Sequence, residues 1–398
     1  MKTLLLTGGA GFIGHHTVEH VLKTTNWDIV VIDSLNYAGN LNYLADIEVM
    51  KEKEYNKRLR VIFHDLRAPF SDTTIALLPK RIDYVIHMAA ESHVDRSITD
   101  PAPFVYSNVV GTMNTLDLAK KLAPDKFILV STDEVYGPSI DGHLHKEGEP
   151  HRPGNPYSAS KSGAEALAYA YWNTYEMPIV ITNTMNNFGE RQHPEKFVPK
   201  TVRNLLLGEK VVAHCKIVDD DIVDISSRCW LHARNHADAL VYLLENGMPG
   251  ERYNITGEKY DVASMVMMIG AMLKVKPVVE YVDFHSFRRG HDMHYGLDGA
   301  KLKELGWIAP TEFYASLKKT VNWFKENYVY PNECVPIMIH PSKVVDEVAS
   351  PDENMRVMTE GMRFIHRRKV RSLVLNYMAF PSLLLGNWLF SFHWICSR

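Results

Sequence analysis

Two short strings in this sequence carry groups able to move protons. Tyr157 and Lys161 stand four residues apart in PYSASK. On a helix that spacing puts both side chains on one face, so a single ligand can meet the phenol and the ammonium together. A free phenol titrates near ~10 and is a poor base at neutral pH. A neighbouring lysine, and any cationic ring bound beside it, favour the phenolate and make Tyr157 an acceptor for an alcohol proton. The second string is Thr132-Asp133-Glu134, directly after the apolar run FILVS. Adjacent acids at a strand end ordinarily make a solvated turn. Two carboxyls in opposite protonation states can instead remove one proton and deliver another, which is what elimination of water requires.

A third string binds rather than reacts. Gly8, Gly9, Gly11 and Gly14 follow the run KTLLLT and open a helical pattern. Glycine suits such a turn because a Cβ would block the backbone's approach to a pyrophosphate seated at the helix N-terminus. Phe12 and Ile13 add amides and apolar contact there. Asp33 ends the next apolar run nineteen residues after Gly14, where a carboxylate meets the adenosine ribose hydroxyls. It would repel a 2′-phosphate, so NAD is expected rather than NADP. Asp65 and Leu66, after the third run, suit the adenine edge.

The elements that position these strings follow from periodicity. Residues 2–7, 28–32, 60–63, 83–88, 126–131 and 178–182 read as strands, and 13–24, 105–122 and 158–175 as helices. Strands alternating with helix-length segments predict an α/β fold, a Rossmann-type doubly wound parallel sheet covered on both faces. After residue 186 the pattern loosens into a smaller C-terminal α/β substrate-binding lobe, with helices at 197–207, 236–246 and 261–273. The expected division is 1–185 for the NAD-binding domain and 186–330 for the lobe, with segments crossing back, followed by an extension of unassigned role over 331–398. The acidic segment 217–227 reads as an insertion or surface loop.

Composition adds exclusions. The chain has 398 residues, 46% hydrophobic and 23% charged, with a formal net charge of −3. Nothing in that balance calls for nucleic acid. Four scattered cysteines fit a reduced, cytoplasmic setting better than a disulfide framework. None of the nineteen histidines is read as part of a ligand cluster, so no metal is expected.

Residues 1 to about 330 resemble the extended short-chain dehydrogenase/reductase superfamily, and within it the dTDP-glucose 4,6-dehydratases. The strings that carry the resemblance are TGGAGFIG, VIDSLNYAGNL, MAAESHVDRSI, STDEVYG, NPYSASK, NNFG, PEKFVP, RCWLHARNHADAL, RYNITG and GHDMHYGLD. The resemblance implies a redox-neutral dehydration of a nucleotide sugar. In it Tyr157 takes the C4 hydroxyl proton, Thr132 holds that oxygen and Lys161 holds the nicotinamide ribose. Glu134 removes the C5 proton while Asp133 protonates the departing C6 hydroxyl. It also implies that Ala89, Ala90 and Ser92 line the cofactor and sugar pocket, that Asn187 joins the cofactor set, and that Asn186, Lys196, Arg228, Asn254, Arg288 and His291 lie near the nucleotide sugar. A homodimer through helices, one of them bearing Tyr157, is part of the same implication. Arg152, Arg191 and His193 take no role in this reading.

The chain departs from the family pattern at Arg228-Cys229-Trp230, where Arg-Asp-Trp is usual, and at Ala233-Arg234-Asn235-His236, where Val-Glu-Asp-His is usual. With the 217–227 segment, these leave the nucleotide open between dTDP and UDP. Nucleotide-sugar 4-epimerases and decarboxylases share the glycine turn and the Tyr/Lys pair but generally lack the full Thr-Asp-Glu string. A non-catalytic NAD-binding sensor or scaffold is the alternative from another class, against which the complete reactive set argues. Finally, 373–396 is long enough for one membrane span behind a basic flank, which would allow membrane contact. Asn376, Pro381, Asn387 and His393 weigh against it.

Overall fold

The computed structural model describes residues 1–47, 57–284 and 292–327. Arg288, His291 and the extension, including 373–396, lie outside the described residues. Thirteen described strands run in chain order as β1 (Thr3–Thr7), β2 (Asp28–Asp33), β3 (Leu59–Phe63), β4 (Tyr84–His87), β5 (Lys126–Thr132), β6 (Ile179–Thr184), β7 (Asn186–Phe188), β8 (Val211–Val218), β9 (Asp221–Ile225), β10 (Ser227–His232), β11 (Arg252–Ile255), β12 (Glu258–Asp261) and β13 (Val279–Asp283). The longer helices are α1 (Phe12–Thr24), α2 (Gly111–Leu122), α3 (Pro156–Tyr175), α4 (Phe197–Leu206), α5 (Ala233–Asn246), α6 (Val262–Leu273) and α7 (Phe313–Asn327).

Seven strands form one parallel sheet in the order β11-β6-β5-β4-β1-β2-β3. The doubly wound sheet is therefore as the periodicity predicts. Side chains alternate across it. Leu4, Leu6, Ile29, Val31, Ile86 and Ile128 meet Val18, Val21 and Leu22 of α1 and Leu240, Leu243 and Leu244 of α5 on one face. Leu5, Val30, Ile32, Val85, Phe127 and Leu129 meet Leu116 and Ala119 of α2 and Ala164 and Ala168 of α3 on the other. Both faces are covered, so the strands read as continuous apolar runs, each large side chain contributing about 1.5–3 kcal/mol. The order reverses between β1 and β4, and the crevice beyond the carboxyl ends there is where such sheets bind ligands.

The later part of the chain builds two three-stranded sheets, β12-β10-β7 and β13-β8-β9. Phe188, Val198, Val202, Leu205, Trp230, Met265, Ile269, Leu317, Val321 and Phe324 form its core. β11 leaves this region to pair with β6 in the main sheet.

One expectation is corrected. The 217–227 segment is not a loop but holds the turn and second strand of a hairpin, β8 against β9, with Val218 opposite Asp221. Asp219 and Asp220 both take positive φ, 51° and 70°. A two-residue turn with both centres left-handed matches strand twist, and Asp tolerates that conformation. The run of acids obscured the alternation on either side. No described helix is long and apolar enough to cross a membrane.

Candidate active site

A cleft of about 520 Å³ opens along the carboxyl ends of the sheet, lined from the β1 turn through the β4 and β5 ends to β7, α4 and β10. Its floor is made by backbone. Gly8 has φ +76°, and a Cβ there would stand 2.8 Å from Ala89 Cα. A Cβ on Gly14 would stand 2.1 Å from the Gly8 carbonyl oxygen. The turn thus closes on itself and on the β4 loop, and only glycine fits. Thr7 Oγ1 accepts from the Met88 and Ala89 amides and sits 2.7 Å from His87 Nδ1, tying β1 to β4 below the cleft.

Gly11, Phe12, Ile13 and Gly14 line this floor, as do Asp33, Asp65, Leu66, Ala89, Ala90, Asn187 and Ser92. Asp33 accepts from Ala10 N at 2.9 Å and Leu35 N at 2.8 Å. Each carboxylate oxygen keeps a second lone pair, so the residue can shape the turn and still receive ribose hydroxyls. Burial raises its pKa, and the backbone amides oppose that. Asp65 is paired with Arg67, both Nε contacts lying at 2.9–3.0 Å. The pair holds Asp65 below the usual carboxylate range. This floor, with backbone where any Cβ would intrude and an acid at the end of β2, fits an NAD dinucleotide.

The reactive groups converge from two elements. Thr132 ends β5, and Asp133 and Glu134 begin the single helical turn Asp133–Val135. Tyr157 and Lys161 lie in the first turns of α3, where Asn155 and Ser158 form a reciprocal cap and Pro156 occupies the first turn. The cap reaches further, because Asn155 Nδ2 also donates to Glu134 Oε2 at 3.0 Å. All five residues line the cleft.

Their environments differ. Asp133 is buried, donated to by Thr132 Oγ1 at 3.0 Å through Oδ1, while Oδ2 is buried without a hydrogen-bond partner. Burial and then the Glu134 charge push its pKa up to about 7. Glu134 is raised by burial but held down by its Asn155 bond and by Arg228. Elimination needs one carboxyl protonated beside one ionised, and Asp133, pushed to about 7, is suited to hold the proton. Tyr157 departs from expectation: burial, then the Glu134 carboxylate, push its phenol well above the ordinary value, with a Thr132 hydrogen bond opposing. Lys161 does not offset this, since Nζ donates to Val130 O at 2.7 Å and burial lowers its pKa to about 8. A cation bound in the cleft is what would favour the phenolate.

Asn186, Lys196 and Arg228 also line the cleft. Lys196 Nζ lies 3.4 Å from Ser92 O and 3.9 Å from Glu195. The Arg228 guanidinium stacks on Tyr295 at 4.5 Å and donates to Asp292 O at 2.8 Å. Asn254 is set apart, contrary to its expected place. It is fully buried on β11, its Nδ2 donating to His145 O at 2.9 Å and Asp298 O at 3.1 Å. Those bonds hold a strand to two loops and leave it out of the cleft lining.

The structure adds residues that spacing did not single out. Asn108 lies in a wide helical turn, Val105–Val110, just before α2. It accepts from Glu91 N at 2.8 Å and donates to Glu91 O and Ser160 Oγ, joining the β4 loop to α3. Glu195 gathers His93, His193 and Arg96 at 3.5–3.8 Å, and Arg96 lies over the Tyr37 ring at 3.8 Å. The matched strings ESHVDRSI and PEKFVP pointed to these loops without separating these members. The unusual Cys229 is buried with Val135, Tyr136, Met185, Tyr295 and Leu297, behind Met185 and Tyr295, which line the cleft where Cys229 itself does not.

A family model described as GDP-mannose 4,6 dehydratase matches residues 5–320. A dTDP-glucose 4,6-dehydratase of Salmonella typhimurium is 37% identical over 354 residues, covering 83% of this chain and 94% of that protein. A dTDP-glucose 4,6-dehydratase of Streptomyces venezuelae, solved with NAD bound, superposes with a TM-score of 0.71 at 37% identity, covering 82% of this chain and 97% of that one. A UDP-glucose 4-epimerase of Thermus thermophilus, also in complex with NAD, gives a TM-score of 0.70 at 25% identity, covering 82% of this chain and all of that one.

Proposed function

The chain belongs to the GDP-mannose 4,6-dehydratase family, and from that premise we propose that it removes water from a nucleotide-linked hexose, converting dTDP-glucose to dTDP-4-keto-6-deoxyglucose. The observation that carries the reading is the pair Asp133–Glu134, set at the end of β5 in the cleft that Tyr157 and Lys161 also line. An epimerase needs the Tyr/Lys pair alone; a dehydratase needs an acid and a base besides.

Tyr157 accepts the C4 hydroxyl proton, with Thr132 against the same oxygen and Lys161 Nζ, which keeps donors beyond its Val130 bond, on the nicotinamide ribose. NAD held along Gly8–Gly14 would supply the hydride acceptor for C4 and the hydride donor for C6, so no net oxidation would result. The C4 ketone acidifies the C5 hydrogen, and Glu134 removes it. Asp133 donates its proton to the departing C6 hydroxyl, which leaves as water. Reprotonation at C5 completes the 4-keto-6-deoxy sugar. Arg228 and Lys196 supply cations for the diphosphate. Asp33 supports NAD over NADP by repelling a 2′-phosphate.

A homodimer belongs to the same reading, supported by Val105, Tyr106, Met113 and Tyr169, large apolar groups exposed in or beside α2 and α3. Sedimentation of the purified chain tests it. For the reaction, the protein is incubated with dTDP-glucose and with UDP-glucose in turn, and the products are weighed. Loss of one water from dTDP-glucose is expected. Faster loss from UDP-glucose reassigns the nucleotide, an unchanged mass with inverted C4 makes the protein an epimerase, and no turnover with NAD bound favours the sensor or scaffold.

A further inference from the structure

Beyond the cleft, the segment that follows Gly137 gathers three metal-ligand types. His143, His145 and Glu149 each offer one atom, and these atoms lie within 4.8 Å of one another. None of the three lines the cleft. His143 Nε2 stands 3.1 and 3.0 Å from the two Glu149 oxygens, and His145 Nδ1 stands 2.8 Å from Oε2. The arrangement is local in sequence. Alternate residues of an extended segment point to one side, and a turn from Lys146 to Glu149 folds the carboxylate back over them.

The geometry points to a divalent-cation site at His143, His145 and Glu149, with Zn²⁺ as the ion its donors suit. The outer contacts carry the argument. His145 Nε2 faces the Pro138 carbonyl oxygen at 3.3 Å. A proton on Nε2 would face that carbonyl and turn Nδ1, 2.8 Å from Glu149 Oε2, towards the shared centre as a lone pair, the tautomer a metal ion selects. Metal-bound histidines typically give their other N–H to a backbone carbonyl, and Nε2 here faces one. The remaining supports are of the same kind. The Tyr136 ring stacks on His145 with centroids 5.4 Å apart and planes 11° apart, and the Lys146 amide donates to Glu149 Oε1 at 2.9 Å.

Two imidazoles and one carboxylate form a borderline donor set that favours Zn²⁺ over Ca²⁺ or Mg²⁺. Ligands around a tetrahedral Zn²⁺ at ~2.0–2.1 Å stand about 3.3 Å from each other. Small rotations of the exposed His143 and of Glu149 open the cluster that far and leave one position for water. The ion would act as a clamp rather than a reaction centre. The His145 backbone already bonds Gly296 O at 3.0 Å and Asp298 N at 2.9 Å, so a metal would rivet segment 138–149 to the strand-like stretch beside Tyr295. This inference stands independently of the proposed reaction.

The test is Zn²⁺ titration of the full chain after dialysis against chelator, by calorimetry, with hydrogen exchange read in parallel. One saturable equivalent with Kd below ~10 μM is expected, with slowed exchange confined to residues near 138–149. His143→Ala, which alters only an exposed side chain, and Glu149→Gln should each weaken binding by about 30-fold or more. His20→Ala, a partly buried histidine of α1 beside Asp238, should leave it unchanged. No saturable uptake, or equal affinity in both ligand variants, overturns the proposal. The His145–Glu149 contact is then an ordinary hydrogen bond from Nδ1–H to the carboxylate.

Discussion

Asn155 Nδ2 donates to Glu134 Oε2 at 3.0 Å, while the same side chain accepts from Ser158 N at 2.8 Å and caps the helix that carries Tyr157 and Lys161. One amide therefore sets the base against the helix bearing the other reactive pair. The donor half and the acceptor half can be separated by substitution. Asn155→Ser keeps a competent cap and removes the donor to Glu134. We expect kcat to fall about 10-fold with little change in Tm, since a hydrogen bond to a charged group contributes about 1.5–3 kcal/mol. Asn155→Asp also keeps the cap but faces one carboxylate with another. It should raise the Glu134 pKa and carry the acid limb of kcat upward. Parallel pH profiles of the two variants check both.

Asp133, at about 7, must hold its proton to release water. Activity should fall on the alkaline side as that proton is lost, and Asp133→Asn should lose about 10²–10⁴ in turnover. The same shift has a stability sign. The folded value lies above an unfolded value of ~3.9, so the folded state keeps a proton that the unfolded chain releases between about pH 4 and 7. Stability therefore declines as pH rises through that window, by up to about 4 kcal/mol. Asp133→Asn should melt higher than the parent at pH 8 and show little advantage at pH 4. Equal differences at both pH values would contradict the assignment.

Glu165 sits one turn beyond Lys161 and is buried. Oε1 accepts from Asn183 Nδ2 at 2.8 Å, and Oε2 pairs with Arg252 at 2.8 Å. Asn183 Nδ2 also donates to Thr132 O at 3.0 Å. Its charge opposes the burial that lowers Lys161. In Glu165→Gln, Lys161 should lose its proton at lower pH, so NAD affinity should drop more between pH 6.5 and 8.5 than in the parent. A loss uniform with pH would mean that Glu165 only holds the fold.

Burial lowers His87 and His236 to about 3 and His15 to about 4. Unfolded, each titrates near ~6.5. Their stabilising contribution is complete above that value and is lost as pH falls towards the folded values. Each can withdraw about 2 kcal/mol by pH 5. Thermal melts should show Tm dropping below pH 6.5, and His236→Met should make the drop shallower.

The sequence alone determined the main sheet, because strands buried on both faces must be apolar throughout and the helices between them must show one apolar stripe. It determined the glycine turn for a similar reason, since a Cβ at Gly8 or Gly14 has no room. Thr132, Asp133, Glu134, Tyr157 and Lys161 were legible because chemistry restricts residue type and spacing within short strings. Tertiary structure decided what depends on groups distant in the chain. The Glu134 bond joins residues twenty-one apart, and Asn254 is withdrawn from the cleft by loops more than forty residues away on either side. The upward shifts of Asp133 and Glu134 arise from burial and neighbours, which no string of residue types contains. The His143, His145 and Glu149 cluster depends on a turn that brings the carboxylate back, so its spacing meant little until the backbone was folded.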